Sequence, residues 1–227
     1  MIKLPIIDRR EVAEKTNEVS FGLTGREFNF IAGQYIQLGV DNLLYPDPRG
    51  PSRLFSVVSS PDDKEKISIA FRQTDSGFKR TLLELPLNTE VVVDGPFGSF
   101  TLPAKAEQPA VFVAGGIGIT PCLSMIRLAM ATKRPGKLLL LYANRGPETA
   151  PYLEELKQLA GANPQLTVKN HFGPLNDDLI GFGLETAPAG AGWYIAGPLP
   201  LVVSARDSLS RAGVPPTQIL TEEFTGY

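Results

Sequence analysis

This sequence of 227 residues contains one cysteine and one histidine, and both scarcities exclude classes of site. Cys122 has no second cysteine to pair with, so a disulfide within the chain is impossible. The roughly four thiolates that hold an iron–sulfur cluster are also missing. We expect Cys122 and His171 to be structural residues, and we expect no metal site.

Long apolar runs and an excess of positive charge are missing as well. No run approaches the ~18 residues of a transmembrane helix, and the N-terminus lacks the layout of a signal peptide. The net charge is −2 and neither half is basic, so composition gives no support for nucleic-acid binding. We therefore expect a cytoplasmic protein without a membrane span.

The sequence changes its rhythm near the middle. The first half contains short alternating apolar runs separated by turn residues, which is typical of an antiparallel barrel or sandwich. The second half alternates apolar strands with helical segments, which predicts a parallel sheet covered on both faces. We place the boundary in the proline- and alanine-containing segment 102–109, and predict one domain over residues 1–103 and another over 108–227.

One glycine-rich segment, residues 111–121, predicts a ligand site in the second half. An apolar run leads into Gly115, Gly116 and Gly118, and Thr120 and Pro121 then open an amphipathic segment. This order indicates a strand, a tight turn and the beginning of a helix. Glycines allow close approach of the backbone, and a helix N-terminus favours an anion. The expected anion is the pyrophosphate of a dinucleotide.

A second candidate element, RLFS, begins at Arg53 in the first half. On a strand, Arg53 and Phe55 share one face, which offers a guanidinium fork for phosphate and a ring for stacking. Ser56 adds a hydroxyl and a backbone amide. Taken alone, such a strand is better explained by a surface arginine and a core phenylalanine.

Four motifs in order give this sequence a family resemblance. They are RLFS at 53–56, GPFGSF at 95–100, AGGIGITP at 114–121 and YIAGP at 194–198. Their order and spacing resemble those of the ferredoxin–NADP reductase superfamily, in which the matching elements bind a flavin and a pyridine nucleotide. The resemblance implies an antiparallel flavin-binding barrel followed by an α/β nucleotide-binding domain.

On the flavin side, the resemblance implies FAD, with FMN as the alternative. Phe55 stands where the family has a tyrosine, and alanine stands where many relatives have a cysteine before Gly197 and Pro198. Thr81 lies one residue further from Gly77 than the family pattern has it. The implied flavin-binding residues are Arg53, Leu54, Phe55, Ser56, Arg72, Gly77, Lys79, Thr81 and Phe224.

On the nucleotide side, the implied binding residues are Gly115, Gly116, Gly118, Thr120, Asn144, Arg145, Gly197 and Pro198. NADH and NADPH both remain open, although no second basic residue stands close to Arg145 in the sequence, which favours NADH. We expect Ser56, Thr120, Glu222 and Phe224 near the reacting atoms. Tyr227 is the alternative to Phe224 as an aromatic that covers the flavin.

The resemblance implies an oxidoreductase that takes hydride from NAD(P)H onto the flavin and passes electrons to a separate acceptor. The acceptor is a ferredoxin, a flavodoxin, another redox protein or a small molecule. The alternative is a non-catalytic subunit that binds flavin or nucleotide within a larger complex. A dehydrogenase without flavin is disfavoured because it leaves the first half unused and has only one histidine for acid–base chemistry.

Overall fold

A computed structural model describes residues 1–224 of the chain. Its first half holds six strands and one helix, and its second half holds five strands and four helices. The first-half elements are β1 (Ile2–Ala13), β2 (Thr16–Gly22), β3 (Tyr35–Gly39), β4 (Ser52–Ser56), β5 (Lys66–Arg72), α1 (Gly77–Glu84) and β6 (Glu90–Phe97). The second-half elements are β7 (Ala110–Gly115), α2 (Ile119–Ala131), β8 (Leu138–Asn144), α3 (Leu153–Ala162), β9 (Leu166–Phe172), α4 (Asp177–Thr186), β10 (Gly192–Gly197), α5 (Leu199–Arg211) and β11 (Ile219–Glu223).

The first half forms an antiparallel barrel, which confirms the predicted fold class. Its strands are hydrogen-bonded in the order β4-β3-β6-β1-β2-β5. An antiparallel bridge between Val57 and Ile69 brings the two edge strands together. Buried side chains that include Leu4, Phe21 and Phe71 fill the interior. Closure of the barrel leaves few strand edges unpaired. The apolar residues that alternate along each short strand point into the barrel and fill it.

The second half is a five-stranded parallel sheet in the order β11-β10-β7-β8-β9. The chain runs from β7 through β8 to β9 and then returns to the other side of β7. The strand order therefore reverses between β7 and β10, and open α/β sheets bind ligands outside the carboxyl ends of the strands at such a point. Separate apolar clusters cover the two faces of the sheet.

The two halves share a core. The cluster on the α2 face of the parallel sheet also contains Ala32, Val58 and Ala70 from the first half. Residues 98–109 connect β6 to β7 without helix or strand. Within residues 1–224, no helix has the length and apolar character that a bilayer span requires.

A polar cluster reinforces the seam between the halves. The buried carboxylate of Glu18, on β2, is paired with Arg10 at 2.9 Å and accepts the Tyr152 hydroxyl at 2.8 Å. From α2, Arg127 approaches Glu18 at 3.9 Å and pairs with Glu155 at 2.7 Å. The guanidinium of Arg127 also donates to the Val58 carbonyl. Specific charged contacts thus join the two halves beside their shared apolar core.

Three elements differ from the sequence-based expectation. The alternating runs at 2–7 and 12–21 predict two strands with these bounds, but β1 continues to Ala13 and the chain turns at Lys15, whose φ is 52°. The pattern of residues 149–160 predicts a helix over that range, but α3 begins only at Leu153, after Tyr152 in the left-handed region. Helix α4 was not predicted. Its signal was present, because the Asn176 side chain caps the amide of Leu179 and acidic residues follow in the first turn.

Candidate functional site

Two cavities of similar size open where the halves meet. The first, which we call the barrel cavity, has a volume of about 820 Å³ and is lined by β3, β4, the head of α1 and the end of β11. The second, the sheet cavity, has a volume of about 810 Å³ and lies at the carboxyl ends of β7, β8 and β9. Strand β5 contributes Ala70 to the barrel cavity and Arg72 to the sheet cavity. The first turn of α2 likewise contributes Thr120 to the barrel cavity, and the turn before α2 contributes Ile117 to the sheet cavity.

Strand β4 brings its four predicted residues to the barrel cavity, but in different environments. Leu54 is exposed, whereas Phe55 and Ser56 are buried. The Phe55 ring packs within the barrel core against Phe71 and Phe78, with centroid distances of 5.7 and 6.1 Å. This packing leaves little of the Phe55 ring for the flavin stacking expected from the sequence.

Basic side chains gather at one end of the barrel cavity. Arg49, Arg53 and Lys79 all line it. Burial and the two neighbouring guanidinium groups lower the pKa of Lys79 to about 8. Three cationic side chains gathered in one place favour an anionic ligand such as phosphate. Arg53 and Lys79, which are both expected to bind a flavin phosphate, thus lie close together in the barrel cavity.

Gly77 and Thr81, expected to contact phosphate, lie outside the cavity lining. A Cβ at Gly77 would clash with the carbonyl oxygens of Tyr45 and Pro46, so this glycine permits close packing against the loop between β3 and β4. The Thr81 hydroxyl is buried and accepts the amides of Leu44 at 3.0 Å and Tyr45 at 3.4 Å. Both residues therefore fasten that loop to α1, which corrects the predicted role.

The opposite wall of the barrel cavity carries Thr120, Glu222, Glu223 and Phe224. The Thr120 hydroxyl donates to the Ile117 carbonyl at 3.0 Å, which fixes its position. One carboxylate oxygen of Glu222 is buried without a hydrogen-bond partner. Burial raises the pKa of Glu222 to about 7, so this carboxyl exchanges a proton near neutral pH. The structure thus brings Ser56, Thr120, Glu222 and Phe224 to one cavity.

The three glycines at the end of β7 and in the turn before α2 have different surroundings. Gly116 has a φ of 53°, lines the sheet cavity and faces open space where a Cβ would stand. Gly115 also lines the cavity, but a Cβ there would meet the side chain of Leu201. Gly118 does not line it, because its close approach is to the backbone of Ala196 and Gly197. The expectation that all three approach a pyrophosphate is therefore corrected for Gly118.

Polar groups at the strand ends surround the sheet cavity. Asn144 is buried, and both atoms of its amide lack a hydrogen-bond partner. Arg145 and Pro198 line the same cavity, while Gly197 packs beside Gly115. Arg72, expected beside the flavin, reaches this cavity from the barrel instead. Sequence reasoning missed Thr149, Ser204 and the loop 173–175, although the position of that loop after β9 was a usable signal.

The two cavities fit the two expected ligands. The barrel cavity combines a basic end with hydroxyl and carboxyl groups at the other wall, as a phosphate-bearing flavin requires. In the sheet cavity, the unpartnered Asn144 amide and the open Gly116 backbone suit a nucleotide. Buried polar atoms without partners are costly, so a bound ligand would satisfy them.

Cys122 and His171 lie outside the lining of both cavities. Cys122 is fully buried, and burial raises its pKa well above the usual range, as suits a core residue. Nε2 of His171 donates to the carbonyl oxygen of its near neighbour Pro174 at 2.9 Å. Tyr227, the alternative aromatic, lies outside the described residues.

Family models match both halves of the chain. The oxidoreductase FAD-binding domain matches residues 3–102, and the oxidoreductase NAD-binding domain matches residues 112–179.

Relatives and a solved structure agree with these matches. The ferredoxin reductase component of 3-ketosteroid-9-alpha-monooxygenase from Mycolicibacterium smegmatis is 28% identical over 94% of this chain and 64% of its own length. Ferredoxin–NADP reductase B of Sorangium cellulosum is 31% identical over 69% of this chain and 64% of its own length. The chain thus spans less than two thirds of either relative.

The Amycolatopsis cytochrome P450 reductase GcoB shares the fold, with a TM-score of 0.82 at 23% identity over 99% of this chain and 70% of that one. Because the FAD-binding and NAD-binding models match successive parts of the chain, and because ferredoxin–NADP reductase B is 31% identical over 69% of it, the chain belongs to the ferredoxin–NADP reductase superfamily.

Proposed function

We propose that this chain is an electron-transfer reductase module that binds FAD in the barrel cavity and NAD(P)H in the sheet cavity. The observation that carries this proposal is the meeting of the two cavities across β5 and the turn before α2. Hydride transfer requires the two rings to touch, and only adjoining sites permit this. A cytoplasmic location is part of the proposal.

The bound flavin supplies the redox chemistry, because it accepts two electrons as hydride and releases them singly. The protein's residues bind and orient. Arg53 and Lys79 hold the phosphate end, while Ser56 and Thr120 position polar atoms at the ring end. Glu222 holds a proton at its buried carboxyl. Gly116 and Asn144 receive the nucleotide.

The electron acceptor lies outside these 227 residues, since one cysteine cannot hold an iron–sulfur cluster. The relatives named above are reductases, one of them a component of a monooxygenase. We propose that this chain likewise serves a separate redox protein or small acceptor.

The experiment that tests the proposal uses the purified protein. It should carry or take up FAD, show the yellow flavin spectrum and bleach anaerobically with NADH or NADPH. Ferredoxins, haem proteins and small acceptors are then screened, and the true acceptor should reoxidise the flavin and restore its yellow spectrum. Protein that binds FAD but does not bleach with either nucleotide would be a non-catalytic binding subunit.

The choice between NADH and NADPH is tested at Arg145. The sheet cavity also contains Arg72, so a second cation is present there after all. If Arg145 contacts a 2′-phosphate, Arg145→Ala should cost NADPH about 2–4 kcal/mol of transition-state binding and NADH little. Equal small losses with both would place Arg145 at the adenosine and indicate NADH.

A further inference from the structure

The loop between β3 and β4 places a carboxylate where the flavin phosphates are expected. The Asp47 side chain is only 3% exposed. One of its oxygens accepts the Ser76 hydroxyl at 2.7 Å and the Phe78 amide at 3.0 Å. The other accepts the Arg49 amide at 2.9 Å and pairs with the Arg53 guanidinium. Asp47 is thus bound as an anion at the head of α1.

These donors are the ones that a phosphate would use. A helix N-terminus offers its first amides and its capping hydroxyl to an anion, and an arginine fork completes such a site. Nη1 of Arg53 donates in addition to the carbonyls of Arg49, Gly50 and Ser52. A phosphate and Asp47 cannot accept the same hydrogen bonds, and their negative charges repel.

The segment that carries Asp47 lies between two anchored points. Thr81 fastens the loop at Leu44 and Tyr45, and β4 begins at Ser52, so residues 46–51 span two fixed points. This segment contains no helix or strand. Gly50 within it has a φ of 79°, in the region that glycine adopts without strain. Displacement of Asp47 breaks its contacts with Ser76, Phe78 and Arg53, whereas the pairing of β3 with β4 involves only residues 35–39 and 52–56.

We propose that Asp47 is an internal substitute for the flavin phosphates, which it must vacate when a phosphate-bearing flavin binds. This inference rests on the proposed flavin site. Asp47 satisfies the donors at the head of α1, and its carboxylate competes with the incoming phosphate. It thereby sets the affinity for FAD and the preference for flavins that carry phosphate.

The test measures flavin binding to the flavin-free protein and to its Asp47→Asn variant. Dissociation constants are measured by titration calorimetry for FAD, FMN and riboflavin. Asn keeps the shape of the side chain but removes the competing charge. We expect the variant to bind FAD roughly 10- to 100-fold more tightly and to bind FMN more tightly as well. The phosphate then no longer competes with a charged carboxylate for the hydrogen-bond donors at the head of α1. Riboflavin, which has no phosphate, should bind as before.

Asp75→Asn is the matched control. Asp75 lines the same cavity but accepts none of the hydrogen bonds described for Asp47. The Asp75→Asn substitution measures the general effect of removing one negative charge from the cavity. We expect it to raise the affinity for FAD less than Asp47→Asn does.

Three results would overturn the inference. Weaker FAD binding by Asp47→Asn would show that Asp47 orients Arg53 for the phosphate. An unchanged FAD affinity, or an equal change for riboflavin, would show that no competition for the phosphate subsite exists while leaving the flavin proposal intact. If neither wild type nor variant bound any flavin, the proposed function would fail together with the inference.

Discussion

Arg53 is the residue on which the flavin proposal depends most directly. We expect Arg53→Ala to weaken FAD binding about 10- to 1000-fold, because one or two charge-assisted hydrogen bonds of roughly 1.5–3 kcal/mol each are lost. Arg53→Lys keeps the charge but not the fork, so its loss should be smaller. Titration of the flavin-free proteins with FAD measures both effects. Full flavin occupancy in purified Arg53→Ala would contradict the assignment.

Glu222 predicts a pH dependence of stability. Its pKa of about 7 in the folded protein exceeds the ordinary value of 4.5, so between these values the folded state binds more protons than the unfolded state. Stability therefore falls as the pH rises through this window. Glu222→Gln should remove the penalty and be more stable than wild type at pH 8, by about 1–3 kcal/mol, but not at pH 4.5.

Urea unfolding at the two pH values measures this difference. Glu223→Gln is the control, because the neighbouring carboxylate also lines the cavity but is exposed. A difference between Glu222→Gln and wild type that is the same at both pH values would refute the titration of Glu222 in this range.

At the scale of elements, the turn between β7 and α2 is the sharpest test of the nucleotide site. A valine at Gly116 must adopt a positive φ and place its side chain in the sheet cavity. We expect Gly116→Val to keep bound FAD but to be reduced far more slowly by NAD(P)H in stopped-flow experiments. Loss of FAD from this variant would mean that the two cavities do not divide the ligands as proposed.

Gly161→Ala provides the control for that substitution. Gly161 lies in α3, also has nothing near its missing Cβ and does not line the sheet cavity. Its rates of reduction should match those of wild type.

The sequence predicted elements well where local pattern decides them. The alternating runs of the barrel and the apolar strands of the parallel sheet were found, because burial on one or both faces leaves a periodic record. Helix α4 was missed because Gly181 and Gly183 weaken its helical pattern. The structure explains Gly183, since a Cβ there would meet Leu141 and Trp193. Tertiary packing overrides helix propensity at this position.

The candidate site was predictable only where a motif is local. The segments 53–56 and 114–121 each carry their chemistry within a few residues. Asp47 could not be found this way, because its partners Ser76 and Phe78 lie 29 and 31 positions away. The sequence predicts the strand that became β5 but not where it ends, so it cannot show that Arg72 reaches the sheet cavity instead of the flavin. Gly118 was misjudged because its close neighbour is backbone of β10.

At the scale of the whole molecule, the polar cluster at the seam should contribute measurably to stability. Arg127→Met leaves the buried Glu18 with one guanidinium fewer and deprives Glu155 of its partner. We expect a loss of about 1–3 kcal/mol, because the hydrogen bonds of Arg127 to Glu155 and to the Val58 carbonyl are lost while Arg10 still compensates the charge of Glu18. Urea unfolding followed by fluorescence and circular dichroism measures the loss.

Arg206→Met is the control, because Arg206 forms an exposed pair with its neighbour Asp207. Such a pair contributes about 0–1 kcal/mol. If Arg127→Met lowered the free energy of unfolding no more than Arg206→Met does, the polar cluster would not contribute to stability. The shared apolar core alone would then join the halves.

The seam also bears on how far the halves can be recombined between proteins. Glu18 comes from the barrel, whereas Arg127, Tyr152 and Glu155 come from the parallel-sheet half, so each half carries only part of the cluster. A chimaera that joined this barrel to the second half of a relative would keep Arg10 beside Glu18 but would lose Arg127 and Tyr152 unless that relative supplied them. Interchange of halves should therefore succeed only when these four positions are transferred as one unit.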